Sequence, residues 1–290
     1  MFEGIYVAIP TPFKDGKVDE KALREHIEFL IESGVNGIVP CGTTGESATL
    51  SYEEHEEVIA ITIDQVKGRA KVIAGTGSNS TKEAIELTAY AKEAGADGAL
   101  LITPYYNKPN QEGLYRHFKA IAEAVDIPIV LYNVPGRTGV NMLPETVARL
   151  SVIENVVAIK EATGSTNVAT EIVNLCGDKI EVLSGDDLTF YPLLAVGGKG
   201  VISVTANIVP DRMVKMYRAF VKGNIDEARK LHLELYPLHK TMFVDTNPIP
   251  VKTALSMMGR MEKEFRLPLC LTTPEKEEII RKVLKEKGVL

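Results

Sequence analysis

Residues 34–39 read GVNGIV and residues 95–100 read GADGAL. In each, a glycine ends an amphipathic helical pattern, and a second glycine three residues on heads an apolar run. The first glycine fits the left-handed position that stops a helix, after which the chain re-enters a sheet. The same phrase recurs down the chain: apolar run, polar loop, amphipathic stretch. It predicts strands at 4–9, 37–40, 71–75, 98–102, 127–132, 156–160, 180–184 and 200–204. These runs are short, rich in Val and Ile, and apolar at nearly every position, as strands covered on both faces must be. Helical patterns fall between them, at 20–33, 52–66, 81–94 and 111–124. Ser51 with Glu54, and Ser80 with Glu83, have capping-box spacing at helix starts.

Eight strands alternating with helices over about 220 residues predict an α/β fold, a (β/α)8 TIM barrel and not an open sheet. Helical patterns continue past the eighth strand, through 211–220, 224–243, 249–259 and 274–287. The expected organisation is a catalytic barrel over 1–224 and a small C-terminal helical domain over 225–290.

Composition narrows the function. A net charge of -6 gives no basic footprint for nucleic acid. No uninterrupted apolar stretch of about 18 residues is present to span a membrane. Met1–Gly4 runs straight into a strand pattern without the basic and small-residue segments of a secretory leader, so a cytoplasmic setting is expected. Cys41, Cys176 and Cys270 are too scattered for a disulfide framework or a zinc site. His26, His55, His117, His232 and His239 all fall in helical stretches without metal-ligand spacing, so no metal is expected.

Barrel enzymes place their chemistry at the C-terminal ends of the strands. Those ends here read CGTTGES, GTGSNS, TPYYNKP, YNVPGRTG, KEATG, SGDD and SVTAN, whereas the opposite ends offer mostly Gly, Pro and Asp. In VVAIKEATG (156–164) the lysine is either a solvated strand end or a desolvated amine nucleophile. From those nine residues alone the solvated reading is the commoner; the polar strand ends around it favour the nucleophile. Residues 156, 158 and 160 are expected to share a face, with Ala158 leaving room beneath Lys160. GTTGES is a plain glycine turn with a threonine-capped helix, or a carboxylate cradle of Thr43 and Thr44 hydroxyls and helix N–H groups. Tyr132 is a core tyrosine or a proton relay beside the lysine. Arg137 is a surface residue or a fork for a substrate carboxylate. GTGSNS lacks the third glycine of a dinucleotide loop, and GGKG precedes strand 8 on the wrong face for a phosphate site.

GTTGES, AGTGSNST, ITPYYNKP, YNVPGRTG, IKEATG, SGDD and NPIPVK, in this order and spacing, resemble the dihydrodipicolinate synthase family, one branch of the pyruvate-dependent class I lyases and aldolases. The resemblance covers essentially the whole chain. It implies condensation of pyruvate with aspartate semialdehyde through a lysine imine, in lysine and diaminopimelate biosynthesis, without a cofactor. Lys160 would form the imine. Tyr132, Thr43 and Tyr106 would relay protons, with Tyr106 reaching in from a neighbouring subunit of a homotetramer built from tight dimers. Thr44 would hold the pyruvate carboxylate and Arg137 that of the aldehyde, while Gly185 and Ile202 would line the pocket through their backbones. Ser47, Ala48, His55, Asn79, Glu83 and Tyr105 match a lysine effector cleft, but Tyr52 departs from the histidine common in lysine-sensitive members. The alternatives are N-acetylneuraminate lyase or keto-deoxy sugar-acid aldolase chemistry, against which Arg137 weighs, and a barrel that only binds pyruvate or lysine.

Overall fold

Eight parallel strands follow one another along the chain: β1 (Gly4–Ala8), β2 (Gly37–Val39), β3 (Lys71–Gly75), β4 (Gly98–Ile102), β5 (Ile129–Asn133), β6 (Val156–Glu161), β7 (Glu181–Ser184) and β8 (Gly200–Ser203). Their hydrogen-bonded order, β1-β8-β7-β6-β5-β4-β3-β2, closes into a barrel. The structure is a computed structural model that describes residues 1–290. Helices fill the connections: α1 (Glu20–Glu32), α2 (Tyr52–Val66), α3 (Thr81–Ala94), α4 (Gln111–Ala124), α5 (Pro135–Thr138), α6 (Pro144–Leu150), α7 (Thr166–Cys176) and α8 (Phe190–Ala195). Four more follow β8: α9 (Pro210–Val221), α10 (Ile225–Thr241), α11 (Ile249–Met257) and α12 (Pro274–Glu286). The fold is the expected TIM barrel with additional C-terminal helices, and every strand lies within two residues of its predicted bounds. The largest slip is at β5. Pro128 has no N–H for the ladder, so the strand begins after it, although the Pro128 carbonyl still accepts from Ala99 N at 2.9 Å.

The helix ends follow the local chemistry. Ser51 and Glu54 form both arms of a capping box, at 3.2 and 3.0 Å. The second box is half made: Ser80 accepts from Glu83 N at 3.4 Å, but the Glu83 carboxylate turns to the Ser78 hydroxyl at 2.7 Å. Gly34 and Gly95 adopt φ of +80° and +96°, the left-handed stop that the repeated phrase required.

The chain divides into two compact units, Met1–Gly4 with Val72–Ile202, and Ile5–Lys71 with Ser203–Leu290. In the first, the outer faces of the strands (Ala99, Leu101, Ile129, Leu131, Ile159, Val182) pack on Leu114, Phe118 and Ile121 of α4 and Ile172 of α7. Burying each such large side chain contributes about 1.5–3 kcal/mol. Residue 156 does not share a face with 158 and 160 as expected. The β5–β6 register shifts so that Ile129 faces Val156 while Val130 faces Ala158. Val156 therefore joins the outer cluster, and only Ala158 and Lys160 share the inner face. A bulge of this kind leaves no trace in an all-apolar run.

In the second unit α1 carries a buried histidine. His26 Nε2 lies 2.9 Å from Asn207 Oδ1, and the Asn207 amide already donates to the carbonyls of Ala8 and Val204. The asparagine oxygen must accept, so Nε2 carries the proton and Nδ1 stands buried without a partner. Burial pushes His26 down to about 4; the nearby Arg260 adds to this and the Asn207 bond opposes it. A neutral histidine in the fold and an ordinary one in the unfolded chain means stability is full above about pH 6.5. It falls by roughly 3 kcal/mol as pH drops towards 4. Melting temperature measured across that range should fall less steeply for His26→Gln than for the parent. Parallel curves would place the acid sensitivity elsewhere.

Candidate active site

Within the first unit, strand register gathers one group of candidate residues. Ile102 pairs with Tyr132, Tyr132 with Lys160, and Lys160 with Leu183, so these four side chains form one row near the C-terminal ends of β4 to β7. Lys160 is 6% exposed. Its Nζ lies 4.2 Å from the centre of the Tyr132 ring, and no carboxylate pairs with it. A buried amine without an ion partner is unusual for lysine. Tyr132 is itself buried.

Space around the amine comes from Gly185. A Cβ there would lie 2.5 Å from Ala162 Cβ and 3.1 Å from Lys160 Cγ, so any side chain would press on the lysine stem. Gly185 N donates to the Glu161 carbonyl at 2.7 Å, which ties the loop after β7 to the end of β6. Ile202 is fully buried in β8. Arg137 is exposed on the short helix α5.

Tyr105 and Tyr106 stand on the loop after β4. Tyr106 is 89% exposed and has φ of +70°, a left-handed backbone that costs a non-glycine residue free energy. Asn79 holds this loop: its side-chain amide donates to the Tyr105 carbonyl at 3.2 Å, and its own carbonyl accepts from Asn107 Nδ2 at 2.9 Å. Glu83 lies on α3, its carboxylate taken by Ser78.

The second unit holds the loop Cys41–Glu46. Gly45 N donates to the Gly42 carbonyl at 3.0 Å and Glu46 N to Thr43 O at 3.2 Å. The loop then enters a single 3₁₀ turn, Ser47–Thr49, and α2 starts only at Tyr52 with Ser51 as its cap. Neither Thr43 nor Thr44 therefore caps a helix, and α2 begins where its periodicity predicts. Thr43 is half-buried and Thr44 buried. Thr44 Oγ1 accepts from Asn247 Nδ2 at 3.0 Å, and Glu46 pairs with Lys252, contacts that the sequence alone did not reveal. Cys41 is a buried thiol whose Sγ donates to the His55 carbonyl at 3.6 Å. Burial pushes it well above the usual thiol range, so it packs as a protonated group and is no nucleophile. Of the residues that the resemblance assigns to an effector cleft, His55 is buried, Ser47 half-buried and Ala48 exposed.

A closed parallel barrel with a buried, unpaired lysine beside a tyrosine at its catalytic face is the arrangement of a barrel enzyme that works through a lysine imine. The family model described as the dihydrodipicolinate synthetase family matches residues 1–287. The chain is 65% identical over 269 residues, 93% of each chain, to 4-hydroxy-tetrahydrodipicolinate synthase of Geobacter sp. (strain M21). It is 60% identical over 290 residues, 100% of both chains, to the same enzyme of Geotalea uraniireducens (strain Rf4). The crystal structure of chloride-inhibited dihydrodipicolinate synthase from Acinetobacter baumannii complexed with pyruvate is 49% identical. It matches with a TM-score of 0.98 over 100% of both chains. The chain belongs to the dihydrodipicolinate synthetase family, and it is an enzyme.

Proposed function

We propose that Lys160 is the residue through which this chain carries out its family's reaction, the pyruvate-dependent condensation with L-aspartate-4-semialdehyde in lysine biosynthesis. The observation that carries the assignment is the buried amine itself: unpaired, in register with Tyr132, and given room by Gly185. The amine attacks the ketone carbon of pyruvate and water leaves, giving an imine. The imine draws electrons from the adjacent methyl group, which loses a proton to become an enamine carbon. That carbon attacks the aldehyde and forms the new C–C bond. The amino group of the second substrate then attacks the imine carbon, closing the ring and releasing Lys160 as a free amine. The product is 4-hydroxy-tetrahydrodipicolinate. Reductive trapping of the first intermediate with borohydride tests the assignment: the adduct should sit on Lys160 and on no other lysine.

The other roles follow the family motifs. Tyr132, Thr43 and Tyr106 relay protons, Thr44 holds the pyruvate carboxylate, and Gly185 and Ile202 line the pocket. The assembly is a homotetramer of tight dimers, working in the cytoplasm; no helix is long and apolar enough to cross a membrane. The helices over 225–290 act as a C-terminal helical domain. Ser47, Ala48, His55, Asn79, Glu83 and Tyr105 make the lysine effector site, with Tyr52 half-exposed at the start of α2 as its altered member.

Arg137 selects the carboxylated aldehyde. Because this arginine is exposed, its loss should cost about 1.5–3 kcal/mol, near the range for hydrogen bonds to charged groups. Arg137→Ala should lower kcat/KM for aspartate semialdehyde about 10- to 100-fold while the pyruvate imine still forms. Equal damage to both substrates would make the arginine structural.

A further inference from the structure

The segment NPIPVK, residues 247–252, is the motif that the reaction leaves unused. It leads into α11, where Ile249 to Leu255 are all buried. A lysine inside such a run is out of place, because lysines almost never bury fully unless paired. Lys252 is paired. Its side chain is 0% exposed and its Nζ lies 2.5 Å from Glu46 Oε1, on a side chain 1% exposed. The same Nζ donates to the Thr11 carbonyl at 3.0 Å, and the Thr11 hydroxyl donates to the Gly45 carbonyl at 2.7 Å. The rings of Phe13 and Phe265 lie 4.4 and 5.1 Å from the ammonium. The other Glu46 oxygen accepts from Arg266 N at 3.2 Å.

Stability alone does not call for this pair, since apolar residues of similar volume usually serve a core at least as well. What an ion pair adds is direction. The loop it holds has left-handed, non-glycine residues at both ends, Cys41 at φ +55° and Glu46 at φ +52°. Such backbone persists only where its surroundings over-determine it. Between those ends, Asn247 Nδ2 donates to Thr44 Oγ1 at 3.0 Å, with both side chains buried. A hydroxyl has one proton and two acceptor sites. The asparagine amide fills an acceptor site, so the Thr44 proton is left to point elsewhere.

We propose that Asn247 is a positioning residue for substrate binding: it sets the Thr44 hydroxyl as a donor to the pyruvate carboxylate, on a loop that the Lys252–Glu46 pair holds in place. The proposal rests on Thr44 holding that carboxylate. Its test is a set of pyruvate titrations, by steady-state kinetics and by borohydride trapping of the imine. The proteins are Asn247→Ala, Asn247→Asp, Thr44→Val and the two doubles. Asn247→Ala should raise the pyruvate KM about tenfold, with kcat and the aldehyde KM within about threefold of the parent. Asn247→Asp keeps the volume but accepts a proton where the amide gave one. It should therefore be worse than alanine, and lose that excess in the Thr44→Val background, where mere charge repulsion would persist. In the same background Asn247→Ala should add less than about twofold. If Asn247→Ala fails to fold, the near-isosteric aspartate carries the comparison. A full, independent effect of Asn247→Ala on top of Thr44→Val would overturn the proposal, as would a lower melting temperature with an unchanged pyruvate KM. If Thr44→Val itself leaves the pyruvate KM alone, the carboxylate role of Thr44 fails first, and the proposal falls with it.

Discussion

Lys160→Met and Lys160→Ala should each lose about 10⁴-fold or more in kcat, because no other group replaces a covalent nucleophile. Borohydride added with pyruvate should fix one reduced pyruvyl group on the parent protein, on the peptide containing VVAIKEATG, and none on either variant. The structure adds a second expectation that an ordinary core lysine would not meet. The amine is 6% exposed and makes no ion pair, so the fold gains little from its charge. Lys160→Met keeps the length of the stem beside Gly185 and removes only the polar end. Its melting temperature should equal or exceed that of the parent while activity vanishes, the trade-off expected of a group kept for chemistry. An adduct on a different lysine would overturn the mechanism. A dead Lys160→Met with a markedly lower melting temperature would show that the side chain is structural.

The fold was legible because its signals are local. GVNGIV and GADGAL each name a helix stop and a strand start within six residues, and α2, α3 and α4 have the bounds that their periodicity predicted. The hairpin Phe13–Lys14 with Lys17–Val18 was also there to be read: FKDGKV carries the Asp-Gly turn pair, and Asp15 and Gly16 have φ of +53° and +79°. Its signal is weak because its two-residue strands sit in a loop between longer, regular elements. The bulge at the start of β6 had no such signal, since apolar residues on both faces hide a change of parity. The juxtaposition of Tyr132 and Lys160 was legible from strand ends alone, because a parallel barrel brings those ends to one face. The support of the Thr44 loop was not. Asn247 and Lys252 lie more than 200 residues from their partners, and only the oddity of a lysine within IPVKTALSM hinted at a buried pair.

Tyr106 gives the sharpest test of assembly. Its side chain is 89% exposed in a single chain, and its backbone is held left-handed while Asn79 and Asn107 brace the loop. An aromatic kept in that conformation and turned to water is suited to anchoring an interface. If it completes the proton relay of a two-fold partner, each subunit lends its tyrosine to the other. Tyr106→Phe and Lys160→Ala proteins should each be nearly inactive when assembled alone. Unfolded together in equal amounts and reassembled at random, half of the dimers would be mixed. Each mixed dimer would hold one complete site, with Lys160 from the first chain and Tyr106 from the second. Activity should then return to about a quarter of the parent level. If Tyr106 works within its own chain, no mixed dimer contains a complete site, and mixing restores nothing.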